Sequence, residues 1–136
     1  MAPHFNALGI VVGDLEAAIG FYELLGLDFP EATDSEGHVE AMLARGLRLM
    51  LDTEAVVESF DPSWKAPSGR GRIALAFGCE DAADVDASYD RIVAAGHPSY
   101  LAPFDAFWGQ RYASVLDPDG NVIDLFAPLV PVEDGG

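Results

Sequence analysis

The strongest constraint on the fold of this chain is an internal duplication. Residues 14–26 have the pattern of an amphipathic helix, with an acidic N-cap residue, apolar residues at helical spacing and a terminal glycine. Residues 84–96 repeat the pattern, and both ends lie 70 positions further along the chain. A predicted strand precedes each helix, at residues 8–12 and 73–77. The chain is therefore predicted to contain two copies of one structural unit.

Strand patterns also follow each predicted helix. Residues 39–43 and 47–51 form such a pair in the first half, and residues 112–116 and 122–126 form one in the second. The turn Asp-Pro-Asp-Gly at 117–120 has a proline that pre-sets φ and a glycine that accepts positive φ. With weaker strands expected near 28–32 and 99–102, each half is predicted to be β-α-β-β-β. The predicted fold class is α+β.

These elements predict one domain over residues 1–136. Repeat one is expected at 5–53, a linker at 54–71, repeat two at 72–128 and a flexible tail at 129–136. The linker is rich in proline and glycine, and a short helix is expected at its start, over residues 53–60. A long segment of this kind in a compact domain is often functional.

Composition excludes several classes of function. The net charge is −16, from 7 basic and 23 acidic side chains, which disfavours a nucleic-acid partner and favours cationic ligands or simple solubility. No apolar run reaches 18 residues, so no membrane span is expected. The N-terminus lacks the basic region of a signal peptide, and Cys79 is the single cysteine. These features predict a cytoplasmic protein.

Three motifs resemble the vicinal-oxygen-chelate superfamily, which includes glyoxalase I, extradiol dioxygenases and bleomycin-resistance proteins. The motifs are Phe-Tyr-Glu-Leu-Leu-Gly at 21–26, Trp-Gly-Gln-Arg at 108–111 and Asp-Pro-Asp-Gly-Asn at 117–121. The resemblance covers roughly residues 5 to 128. It implies two βαβββ modules that form a curved mixed sheet around a cavity, and it implies a homodimer. It does not imply one function, because the fold carries many chemistries.

Metal-dependent members of that superfamily have ligands on the first and last strand of each half. The corresponding positions here are Ala7, Met50, Arg72 and Asp124. Only Asp124 has an oxygen donor for a divalent metal, and a catalytic metal needs several protein ligands. The resemblance therefore implies a protein without a metal or other cofactor. An ion pair between Arg72 and Asp124 is the structural alternative.

The closest resemblance within the superfamily is to the mitomycin-binding resistance proteins, through residues 51–53, 60–64 and 108–112. Those proteins hold a planar drug between a histidine and a tryptophan, which implies that role for His38 and Trp108. Burial of Trp108 in the core and a solvent-exposed His38 are the alternatives. The remaining candidates for ligand binding are aromatic or polar: Tyr112, Trp64, Phe60, Glu40, Asp52, Arg111 and Asp124.

The leading functional hypothesis is a metal-independent protein that sequesters a planar antibiotic or related natural product and confers resistance. The alternative is a metal-independent isomerase, lyase or hydrolase in which Asp124, Glu40 or His38 transfers protons. A metalloenzyme with an unusual ligand set is a third possibility. The sequence contains no nucleophile paired with a base and no phosphate-binding loop, so no catalytic residue is assigned.

Overall fold

The computed structural model describes residues 2–30, 36–69 and 72–130. The chain divides into two compact units, Met1–Ser68 and Gly69–Gly136, and their boundary falls within the predicted linker. The described residues form seven strands and three helices: β1 (Ala7–Val12), α1 (Leu15–Leu24), β2 (His38–Ala44), β3 (Leu47–Thr53), α2 (Glu54–Phe60), β4 (Ala74–Gly78), α3 (Ala82–Ala94), β5 (Ser99–Asp105), β6 (Gln110–Leu116) and β7 (Val122–Pro128). The predicted α+β class is confirmed, with the strands in two mixed sheets.

The first unit contains a three-stranded sheet in the order β1-β3-β2. Strand β1 runs parallel to β3, and β2 runs antiparallel to it. Alternate residues of these strands are fully buried and form the core with the apolar side of α1; they are Val12, Val39, Ala41, Leu49, Leu51, Ala18, Phe21 and Tyr22. Helix α1 begins as predicted, because the Asp14 carboxylate accepts the Ala17 N–H at 3.1 Å.

The weak strand expected near 28–32 does not form over residues 28–30, and residues 31 and 32 lie outside the described part of the chain. Phe29 is buried, so this segment places a large ring in the core. Pro30 has no N–H to donate to a neighbouring strand. The prediction was therefore wrong for this part of repeat one.

The second unit contains a four-stranded sheet in the order β4-β7-β6-β5. Strands β4 and β7 are parallel and the other pairs are antiparallel. The weak strand expected near 99–102 is confirmed and extends to Asp105. It lies at the edge of the sheet, where two register shifts and Pro103 are tolerated.

Helix α3 is three residues longer than α1, with 13 residues against 10. The repeat predicted a helix start at Asp84, but the N-cap is Asp81, whose carboxylate accepts the Asp84 N–H at 2.8 Å. Asp84 lies in the first turn and accepts the Glu80 N–H at 2.9 Å. The helix ends do correspond, since Gly26 and Gly96 have φ values of +89° and +104°.

The segment after the first sheet begins with α2, as predicted. The Thr53 hydroxyl accepts the Val56 N–H at 3.2 Å and caps this helix. Residues 131–136 of the predicted tail lie outside the described residues. At the start of the tail, the Leu129 N–H donates to the Gly109 carbonyl at 3.1 Å. None of the helices in the described residues is long and apolar enough to cross a membrane.

Candidate functional site

Strand alternation separates the candidate residues into two faces of each sheet. The buried face carries the apolar core residues, and the opposite face carries most of the polar candidates, so we call it the polar face. In the first unit the polar face includes His38 and Glu40 on β2 and Arg48 and Asp52 on β3. In the second unit it includes Tyr112 on β6 and Asp124 on β7.

Four charged side chains on the polar face of the first unit form one connected group, the polar network. The His38 ring lies between two carboxylates: Nδ1 is 2.5 Å from Asp52 and Nε2 is 2.8 Å from Glu40. The other oxygen of Glu40 accepts an N–H of Arg48 at 3.0 Å. Cross-strand register produces this arrangement, because His38 pairs directly with Asp52.

The polar network favours the charged forms of His38 and Glu40. Hydrogen bonds that Glu40 and Asp52 accept from the ring raise the pKa of His38 above its ordinary value of 6.5, although burial opposes this. The hydrogen bond from His38 is the largest cause that lowers the pKa of Glu40. The raised pKa favours the imidazolium form of His38, whose two ring nitrogens both lie within hydrogen-bond distance of a carboxylate, and the side chain remains 40% exposed.

An aromatic cluster of Phe104, Trp108 and Tyr112 lies at the β5–β6 end of the second unit. Gly109, with φ of +91°, closes the turn that follows Ala106 and carries Trp108. The Trp108 ring centroid is 5.4 Å from that of Tyr112 and 6.4 Å from that of Phe104, both edge to face. The indole N–H donates to the Gln110 side chain at 2.8 Å, and Trp108 remains 49% exposed.

Asp124 lies beside this cluster and accepts two hydroxyl donors. The Tyr112 hydroxyl donates to one carboxylate oxygen and the Ser114 hydroxyl to the other, each at 2.6 Å. Burial and the Asp124 carboxylate raise the pKa of Tyr112 to about 12. The phenol is therefore protonated near neutral pH and acts as a donor.

Arg111 is not brought together with Tyr112 and Asp124. Successive side chains of a strand point to opposite faces of the sheet. Arg111 is adjacent to Tyr112 in β6, so its side chain lies on the face that carries α3. There the guanidinium donates to both carboxylate oxygens of Asp86 on α3, at 2.9 and 3.2 Å, and to Asp105 at 3.0 Å. The residue type of Arg111 suggested an anchor for a ligand. Strand alternation instead places its side chain where it forms an ion pair with Asp86.

Comparison with known proteins identifies the family. Residues 4–125 match the glyoxalase/bleomycin resistance protein/dioxygenase superfamily. The chain belongs to this superfamily. No relative among curated proteins matches the sequence significantly.

Solved structures of the superfamily have the same fold. A family enzyme from Burkholderia phytofirmans PsJN is 21% identical, with a TM-score of 0.80 over 91% of this chain and 98% of that one. A glyoxalase-related enzyme from Fulvimarina pelagi is 23% identical, with a TM-score of 0.79 over 99% and 96%. A glyoxalase/bleomycin resistance protein/dioxygenase from Nocardioides is 26% identical, with a TM-score of 0.72 over 100% and 90%.

Of the positions that correspond to metal ligands in metal-dependent members, only Asp124 carries an oxygen donor. The register places Ala76 opposite Asp124, whereas Arg72 precedes β4, and the alternative Arg72–Asp124 ion pair is not among the ion pairs of the described residues. The same register makes Ala74 the equivalent of Ala7, which replaces the earlier assignment of Arg72. Alanine has no donor for a metal. The described residues contain no group of three or more His, Cys, Asp and Glu side chains that could hold one.

The remaining candidates belong to the first unit. Phe60 ends α2 with 72% of its surface exposed, and Trp64 is half-buried after it. Two residues that join the candidate groups escaped prediction, namely Ser114 beside Asp124 and Arg48 beside Glu40. Period-two alternation would have found both, because each lies on the polar face at even spacing from a chosen residue.

Proposed function

We propose that this superfamily member is a metal-independent protein that binds and sequesters a planar aromatic natural product, such as an antibiotic, and thereby protects the cell. In this proposal it acts in the cytoplasm as a homodimer. The observation that carries the proposal is the half-exposed ring of Trp108, which makes edge-to-face contacts with Phe104 and Tyr112.

The chemistry of Trp108 suits stacking rather than core packing. Its N–H is already bonded to Gln110, so ligand binding need not satisfy that donor. Edge-to-face contacts with Phe104 and Tyr112 support the orientation of the indole. A planar ligand can therefore cover exposed indole surface with little loss of side-chain entropy.

His38 is proposed as the second stacking ring, by resemblance to the mitomycin-binding proteins. Both of its nitrogens are bonded to carboxylates, which fixes the plane of the imidazolium through its edges. A fixed cationic ring attracts the face of an electron-rich aromatic ligand. The arrangement of His38 thus supports a stacking role, with Glu40 and Asp52 as positioning residues.

The same observations weigh against the acid–base enzyme. A general base needs a free nitrogen or carboxylate within reach of the substrate proton. His38 has no free ring nitrogen, and Glu40 accepts bonds from both His38 and Arg48. Tyr112 is protonated near neutral pH, since its pKa is raised to about 12. The half-buried Cys79 thiol is a poor nucleophile, because burial raises its pKa.

Energetics require an anchor besides stacking. Burial of about 300 Å² of apolar surface at about 25 cal/mol/Å² contributes about 7 kcal/mol. Two stacked faces add about 1–3 kcal/mol. Association costs about 4–15 kcal/mol, so stacking and burial together support only modest affinity. A polar contact with the ligand must supply the rest, and Asp124 is a candidate because it accepts the Tyr112 hydroxyl of the aromatic cluster.

Fluorescence titration with a planar quinone tests the proposal. The chain has two tryptophans, and Trp108→Ala should weaken binding at least about tenfold by removing one stacking face. Trp64→Ala leaves Trp108 as the single tryptophan and shows which ring reports the quenching, and Arg111→Gln is the control for a residue on the other face of the sheet. Equal affinity of Trp108→Ala and the wild type would overturn the stacking proposal. Mass spectrometry should recover the ligand unaltered, whereas conversion would favour an enzyme.

A further inference from the structure

The carboxylates on the two polar faces differ in how their charge is compensated. In the first unit, Asp52 and Glu40 are paired with His38, and Glu40 is also paired with Arg48. Asp124 in the second unit instead accepts hydrogen bonds from two neutral hydroxyls. Among residues 2–30, 36–69 and 72–130, no basic side chain forms an ion pair with Asp124.

The one arginine of β6 does not compensate this charge. Strand alternation directs Arg111 to the opposite face of the sheet, where Asp86 and Asp105 occupy its guanidinium. The carboxylate of Asp124 therefore stays on the polar face, half-buried, beside the Trp108–Tyr112 pair. A half-buried charge without a counter-ion destabilises a protein unless a ligand or solvent compensates it.

We propose that Asp124 and the adjacent aromatic cluster form a subsite for the protonated nitrogen of the ligand, so that the sequestered compound is an aromatic amine or amidine in its cationic form. This rests on the proposed function and specifies the charge of its ligand. Each oxygen of Asp124 accepts one hydroxyl and retains a lone pair for an N–H of the ligand. The rings of Trp108 and Tyr112 favour the same positive charge through their π faces.

The two hydroxyls act as positioning groups in this subsite. They hold the carboxylate by both oxygens, so its plane is set before the ligand arrives. Because both donors are neutral, they leave the negative charge intact for the ligand. An arginine in place of either hydroxyl would compensate Asp124 and remove the preference for a cation.

Two matched fluorescent probes test the inference on the wild-type protein. The first is 9-(aminomethyl)anthracene, which carries an ammonium group at pH 7, and the second is 9-(hydroxymethyl)anthracene, which has a similar shape and no charge. We expect the ammonium probe to bind about tenfold more tightly in calorimetry. An ionic strength of about 0.15 M limits attraction by distant charges of this acidic chain, because the Debye length is then about 8 Å.

Variants separate the subsite from the overall charge. Asp124→Asn should remove the preference for the ammonium probe while it leaves affinity for the alcohol unchanged. Asp90→Asn, an exposed position on α3, changes the net charge equally and should keep the preference. Loss of the preference in both variants would overturn the inference in favour of general electrostatics. Circular dichroism checks that each variant folds. If Asp124→Asn does not fold, the relative affinities of the wild type for the two probes test the inference.

The two proposals fail in different ways. Equal affinity of the wild type for both probes, with binding that still depends on Trp108, would overturn the charged subsite and leave the stacking function standing. Failure of both probes to bind at millimolar concentration would overturn the stacking function and this inference with it.

Discussion

The two repeats place different chemistry at corresponding positions of the same scaffold. Register makes the positions comparable: the cross-strand pairs on the polar face are His38/Asp52 and Glu40/Met50 in the first unit, and Tyr112/Phe126 and Ser114/Asp124 in the second. In both units a ring side chain on the first strand of the hairpin bonds to a carboxylate on the second. The raised pKa of His38 favours a cationic ring in the first unit, whereas the Tyr112 phenol of the second unit is neutral near pH 7.

That difference decides which unit retains charge for a ligand. The first unit neutralises its carboxylates internally, and its ring is held by two hydrogen bonds. The second unit orients its carboxylate with hydroxyls and surrounds it with aromatic rings. Duplication followed by divergence of a few side chains can thus convert one backbone arrangement into a positioned cation and a positioned anion.

The hairpin turns of the two units differ as well, and a substitution in the second turn is expected to have the largest effect on stability. The carboxylate of Asp117 is buried and accepts the backbone N–H groups of Asp119 and Asn121 together with the Asn121 amide, at 2.8 to 3.0 Å. Asp117→Ala should lower the free energy of unfolding by about 2–3 kcal/mol, because these donors lose their acceptor. Urea denaturation measures the loss.

Asp117→Asn is the matched control, since it keeps the oxygen that accepts two backbone N–H groups. It should be clearly less destabilising than Asp117→Ala. The turn of the first unit is shorter, because residues 45–46 join β2 to β3 whereas residues 117–121 join β6 to β7, so it has no position equivalent to Asp117. Equal stability of the two variants would show that the longer turn does not depend on the Asp117 side-chain oxygen.

Much of this fold was predictable because its elements are locally encoded. Helix α1 has an N-cap at Asp14 and a glycine stop at Gly26, and both are confirmed. The start of helix α3 was misplaced because the repeat aligned Asp84 with Asp14, whereas Asp81, three residues earlier, is the N-cap. Residues 80–86 contain four acidic side chains, and more than one of them is a suitable N-cap on sequence alone.

The site was less predictable, since a side chain's partner depends on register and on which face is buried. Residue type suggested Arg111 as an anchor, and only pairing with Asp86 on α3 reveals its structural role. Alternation already favours different faces for Arg111 and Tyr112, so the separation of these two side chains was predictable. The hydrogen bonds at both nitrogens of His38 were not predictable, because they require the cross-strand register between β2 and β3.

Tyr112→Phe tests whether the hydroxyl network of the second unit contributes to stability. We expect a loss of about 1–2 kcal/mol at neutral pH, because Asp124 loses one of its two donors. The raised pKa makes this contribution present below pH 10 and lost as pH rises towards about 12. Tyr89→Phe, which removes a bond to the neutral Ser99 hydroxyl, is the control and should cost less. Equal losses would argue against a special role for the Asp124 charge.

The smallest expected effect is a pH dependence that originates in the first unit. A raised His38 pKa stabilises the fold fully below 6.5, and this contribution is lost as pH rises through the folded-state pKa. The lowered pKa of Glu40 acts in the opposite sense, and its contribution is present above 4.5 and lost as pH falls through the folded-state value. The polar network therefore contributes most between these two ordinary values.

His38→Gln removes the first of these contributions and should cost about 0.5 kcal/mol at pH 6, since exposed ion pairs are weak. The cost should be smaller at pH 9 than at pH 6, because the contribution of a raised His38 pKa is lost as pH rises through the folded-state value. Thermal unfolding at both pH values measures this difference, and His4→Gln, at an exposed position before β1, should show none. A pH-independent cost would mean that His38 stabilises the strand pair by packing, and the two polar faces would then differ less in charge than in shape.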